Sequence, residues 1–204
     1  MPLQFSIGYP DAHKVILRHL SSRVASTVAH PLGGRIQGAT ATDLDVSNVK
    51  LKFPHAVYQL LHNEVASGGG LETARHRFFR YIIYVSDEPV AAVEVPIDPS
   101  GSAKRVSSLY KGGFVKGTTK ALEELAAYGL IQSGLFEPRL LLFPAVHLTA
   151  IWLKSEMDEE DIIYPLAPIP DWLGEQKPYS VVEFGQIAQP IVQAKTASMQ
   201  SGPG

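Results

Sequence analysis

Residues 139–154 read R-L-L-L-F-P-A-V-H-L-T-A-I-W-L-K, from Arg139 to Lys154. This is the most apolar run in the chain, and its reading decides the fold. It is shorter than the roughly 20 apolar residues a membrane-spanning helix needs, and Pro144, His147 and Thr149 interrupt it. Pro144 divides it into two strands, 139–143 and 146–155. In the second, Leu148, Ala150 and Trp152 point one way, and His147, Thr149, Ile151 and Leu153 the other. Both sides are mostly apolar, the mark of a strand covered on both faces. His147 is accordingly expected as a hydrogen-bonded core histidine. The acidic stretch Ser155–Asp161 then reads as a hairpin tip leading to a partner strand at Ile162–Tyr164.

Upstream, period-two patterning marks further strands. Arg80–Ser86 and Val90–Val95 flank Asp87, Glu88 and Pro89, which predicts a hairpin. Leu44 and Val46, then Val49, Leu51 and Phe53, alternate with polar residues, with a bend at Ser47-Asn48. Helices are expected where apolar residues recur every three or four positions. One follows Asp11, with Leu17, Leu20, Val24 and Val28 inward. One opens at Pro54, with Val57, Leu60, Leu61 and Val65 inward. One is capped by Thr118 or Thr119, with Leu122, Leu125, Ala126 and Leu130 inward. The last starts at Ser180 and Glu183, which have capping-box spacing, and is kinked or ended by Pro190. Residues 96–117 read as a long loop. The expected architecture is α+β: a mainly antiparallel sheet of about five or more strands, with helices packed mostly on one face. A single domain is expected over 1–196, with a disordered tail at 197–204.

Composition narrows the function classes. The 204 residues contain no cysteine, which excludes disulfides, thiolate metal sites and cysteine nucleophiles. It also fits a reducing compartment, and a cytoplasmic location is expected. The N-terminus lacks the basic and apolar regions of a secretory signal, and no membrane segment is expected. The formal net charge of −2 provides no general field to attract nucleic acid. Histidines 55 and 62 would share a helix face, but no third ligand accompanies them.

The sharpest motif is residues 32–46, Leu32-Gly33-Gly34-Arg35 through Asp43-Leu44-Asp45-Val46. Carboxylates at i and i+2 lie on one face of a strand and can hold divalent cations on a triphosphate, while the glycines admit phosphate. The stretch resembles the signature of the nucleotidyltransferase superfamily, although its spacer is slightly short and a helix rather than a strand leads into the glycines. The resemblance implies a Mg²⁺-dependent nucleotidyl or phosphoryl transferase. Asp43 and Asp45 would be its metal ligands, and Glu94 on a neighbouring strand the third catalytic carboxylate. A calcium loop fits less well, because Asn48 and Pro54 stand where it needs glycine and glutamate.

The second motif is basic. Between Asp98 and Glu123 there is no acid, but there are Lys104, Arg105, Lys111, Lys116 and Lys120. Gly113, Gly117 and Thr118 belong to the same stretch. A glycine loop entering a helix N-terminus with lysines around it suits an anion or an acidic partner. A third group mixes Arg75, Arg77 and Arg80 with His76, Phe78 and Phe79. Such mixtures bind single-stranded nucleic acid, but the overall charge favours a plain amphipathic strand entry. The reading that follows is a non-enzymatic binding or assembly module needing no cofactor. It would dock a protein partner, another copy or a small anion through the basic loop, with the acidic turn as a second docking surface. The metal-dependent transferase is the alternative.

Overall fold

The structure, a computed structural model, describes residues 8–29, 48–127, 136–157 and 159–200. It is an α+β fold with a mostly antiparallel eight-stranded sheet. The strands are β1 (Val49–Gln59), β2 (Arg75–Val85), β3 (Glu88–Pro96), β4 (Ser108–Lys111), β5 (Phe136–Phe143), β6 (Leu148–Ser155), β7 (Ile162–Pro165) and β8 (Tyr179–Ser180). Their order is β4-β3-β2-β1-β5-β6-β7-β8. The helices are α1 (Ala12–Ala29), α2 (His62–Ala66), α3 (Gly113–Ala127) and α4 (Val181–Gln200). Among the described residues, no helix is long and apolar enough to cross a membrane. The chain divides into two compact units, one holding residues 55–77 and 117–204, the other 7–54 and 78–116.

In the first unit the run 139–154 behaves as its pattern demands. β5 and β6 pair antiparallel, from Phe136 opposite Ser155 to Phe143 opposite Leu148. Leu141, Phe143, Leu148, Ala150 and Trp152 share one core with Phe184, Ala188 and Val192 of α4. Leu140, Ile151 and Leu153, on the other face, are equally buried. The connection is a 3-10 turn, Pro144–Val146, closed by His147 at φ 55°. His147 is therefore an exposed turn residue, not a core histidine. β7 pairs with β6 as expected.

β1 corrects the helix expected from Pro54. The strand continues through the proline, and Val57 pairs in parallel with Leu140 of β5. Phe53 takes φ 51° immediately before Pro54. Prolines inside strands are confined to edges and irregularities, and the positive φ at Phe53 marks such an irregularity. His55 consequently lies on a strand and His62 begins α2, so they share no helix face. At the far end, Ser180 Oγ accepts from the Glu183 backbone N–H, the expected cap of α4. The helix then runs through Pro190 without ending there. It extends to Gln200, past residue 197 where the tail was expected to begin.

In the second unit β2 and β3 form the expected hairpin. Its turn is Ser86-Asp87, both at positive φ (51° and 64°), the type I′ geometry that matches strand twist. Alternation sends Tyr81, Ile83, Ala91, Val93 and Val95 to one face, where they meet Ala12, Ile16 and Leu20 of α1. The buried stripe of α1 is thus an i, i+4 row beginning at Ala12, while Leu17 is only half-buried. Asp11 does not cap α1 with its side chain; its Oδ1 accepts from the Ala103 N–H at 2.8 Å. On the other face Ile82, Tyr84 and Ala92 pack with Val115 of α3.

The loop expected over 96–117 is a loop over 97–107, and its second half is a strand and the start of a helix. Ser108–Lys111 adds to β3 as the outermost strand. Gly112 (φ +87°) then turns the chain into α3, which begins at Gly113. Thr118 and Thr119 are inside this helix and buried, so neither caps it. The early start follows from the apolar spacing of Val115, Leu122 and Leu125, which already reads as one helical face.

Candidate functional site: a buried ion pair and a basic stretch

Arg80 on β2 stands directly opposite Glu94 on β3. Both are 2% exposed. The guanidinium donates to Glu94 Oε1 through Nε at 3.1 Å and Nη2 at 2.5 Å. Tyr110 Oη on β4 donates to the other oxygen, Oε2, at 3.1 Å. The guanidinium also lies 4.8 Å from the ring centre of Tyr110 and 5.0 Å from that of Phe114. Nη1 has no hydrogen-bond partner among the described residues. A buried charge pair is retained only where such satisfaction is nearly complete. Here it ties β2, β3, β4 and the first turn of α3 together. Both Glu94 oxygens are therefore committed. Asp43 and Asp45, the proposed metal ligands, lie outside the described residues. Among the described residues no three of His, Asp and Glu gather as a metal group.

The basic stretch around β4 sorts into cations held within the chain and cations that are not. Lys104 Nζ pairs with Asp98 Oδ2 at 2.7 Å. That hydrogen bond, with those from Ser100, lowers the Asp98 carboxyl from 3.8 to about 2. Lys120 pairs with Glu124 one helical turn on, at 3.4 Å. Arg105, Lys111 and Lys116 are exposed and have no partner among the described residues. Lys111 closes β4, and Lys116 follows within the first turns of α3. Tyr110, beside Lys111 in sequence, is 37% exposed. Gly113 is the first residue of α3, Gly117 lies within that helix, and Thr118 is buried. Among the described residues, Arg105, Lys111 and Lys116 are thus exposed cations without a partner, whereas Lys104 and Lys120 are held in ion pairs; the β4 register sets Lys111 opposite Ala91, on the α1 side of the sheet, and Tyr110 opposite Ala92, on the α3 side.

The acidic turn is largely spent internally. Asp161 Oδ2 accepts from Trp152 Nε1 at 2.9 Å, and Oδ1 accepts from Lys154 Nζ at 3.1 Å and the Ser155 N–H at 2.9 Å. Glu160 Oε1 accepts from the Val182 N–H at 3.3 Å. Glu156 and Glu159 remain exposed and without a partner among the described residues.

The arginine and aromatic cluster of β2 does not form one surface, because successive side chains leave opposite faces of a strand. Arg75 pairs with Glu64 at 2.5 Å. His76 stacks on Tyr58 at 5.0 Å between ring centres. Phe79 meets Tyr9 edge-on at 5.2 Å. Arg80 is buried as described. Sequence reasoning noted Arg80 and Glu94 separately but missed their pairing; their placement in the two arms of a legible hairpin was the available signal.

The first unit also contains a cavity of about 130 Å³ lined by Leu60, Val65, Leu71, Phe143, Phe184 and Ala188 with four glycines. No ionisable side chain lines it, so it holds no acid or base. Comparisons with family models, curated proteins and solved structures find no match to this chain.

Proposed function

We propose that this chain is a binding or assembly module that works in the cytoplasm and docks an acidic partner through Arg105, Lys111 and Lys116. The observation that carries the reading is that these three cations are exposed and have no partner among the described residues, whereas Lys104 and Lys120, their neighbours in sequence, are neutralised within the chain. An unpaired cation on a rigid element keeps its field for a partner and loses little entropy on docking. The Arg80–Glu94–Tyr110 network supplies the rigidity. Nothing comparable favours the transferase reading, because the carboxylate of Glu94 is already held by Arg80 and Tyr110.

The test is charge reversal. In a pull-down with an acidic partner, or in sedimentation if the partner is another copy bearing Glu156 and Glu159, Lys111→Glu/Lys116→Glu should weaken association by roughly tenfold or more. These residues are exposed, so the fold should be retained, as circular dichroism would confirm. Unchanged association in a folded variant defeats the reading.

A further inference from the structure

The basic stretch includes a strand at the edge of the sheet as described. β4 is the first strand in the order, and among the described residues it pairs only with β3, along the register Ser108–Glu94 to Lys111–Ala91. A strand so placed presents backbone N–H and C=O groups along its outer side, a template for one more strand. The opposite edge is β8, a strand of only two residues that runs straight into α4. The two edges are therefore unequal, and β4 is the one long enough to accept a partner.

Side-chain charge selects the occupant. Lys111 ends β4, Arg105 precedes it and Lys116 follows it on α3, all exposed and without a partner among the described residues. A second copy pairing through the same edge would bring the same three cations to the same place, and like charges repel. The acidic turn of another copy is a poor strand donor, because it is a folded turn whose Ser155 N–H is already taken by the Asp161 side-chain carboxylate. Tyr110 is held by its hydroxyl on Glu94, so the edge is preformed and does not have to be ordered on binding.

We infer that β4 is a strand-addition site for an extended acidic peptide segment of another protein. Backbone hydrogen bonds to Ser108–Lys111 would supply affinity, and carboxylates facing Arg105, Lys111 and Lys116 would supply selection. The inference rests on the docking reading above and adds the mode of binding to it.

The test uses the full chain and a synthetic eight-residue peptide alternating glutamate and valine, followed by fluorescence anisotropy. A twin N-methylated at every backbone amide keeps the charges but cannot donate to a strand. A single-stranded oligonucleotide serves as a polyanion without a peptide backbone. The parent peptide should bind, the methylated twin should bind at least about tenfold more weakly, and amide exchange within Ser108–Lys111 should slow when the parent is bound. Equal binding of both peptides, tighter binding of the oligonucleotide, or no binding of the parent at millimolar concentration overturns strand addition. Equal binding that Lys111→Glu/Lys116→Glu still weakens leaves the docking reading standing. Peptide binding untouched by that charge reversal removes the docking reading as well.

Discussion

Arg80 and Glu94 face each other with only 2% of either residue exposed, so water screens neither charge. Burying such a pair costs about as much desolvation as the attraction returns, but stranding one member is expensive. Glu94→Ala should therefore destabilise the protein by about 3–5 kcal/mol. The double replacement Arg80→Met/Glu94→Leu should return stability to within about 1 kcal/mol of the parent, since it strands no charge and leaves the partly exposed Tyr110 hydroxyl to water. Urea denaturation midpoints of the two variants decide the matter. A double variant as unstable as Glu94→Ala would mean that the pair stabilises the fold by more than its own mutual satisfaction. At this scale, little of the site was legible. Each residue is ordinary in its own stretch. Only the hairpin register, with Arg80 opposite Glu94, turns them into a pair.

α3 is the element on which the structure departs most usefully from the sequence pattern. Gly112, Gly113 and Gly117 together look like a loop, because glycine is a poor helix former. Only Gly112 has a positive φ; α3 runs from Gly113 through Gly117 without interruption. A Cβ at Gly117 would meet nothing within 4 Å. Gly117→Ala should therefore raise stability by about 1 kcal/mol, seen as a higher melting temperature. No gain would favour the loop expected from the glycines. The same contrast separates the legible elements from the others. The hairpins β2–β3 and β6–β7 were legible because their strand patterns and turn residues are local. β1 was not. Its apolar residues around Val57 suit either period, and Pro54 reads as a helix start. What fixes it as a strand is the pairing of Val57 with Leu140, a partner far along the chain. Asp43 and Asp45 fall outside the described residues, so that motif keeps the standing its pattern gave it.

For the whole molecule, the net charge and the local charge predict opposite responses to salt. The chain has a formal net charge of −2, which repels an acidic partner at long range. If that global charge controlled association, added salt would screen the repulsion and tighten binding. Arg105, Lys111 and Lys116 act at contact distance and attract, and salt screens that attraction once the Debye length falls below the separation, about 8 Å near physiological ionic strength. Three cations in and around the β4 segment, without a partner among the described residues, outweigh a weak net charge spread over the whole surface, because Coulomb energy falls with distance and solvent screening suppresses the far charges first. Affinity for an acidic peptide should therefore fall as salt rises from about 50 mM to about 500 mM. The slope should flatten in Lys111→Glu/Lys116→Glu. Anisotropy titrations at several salt concentrations measure both slopes, and affinity that rises with salt in the parent protein would assign control to the net charge and leave the basic stretch without a role.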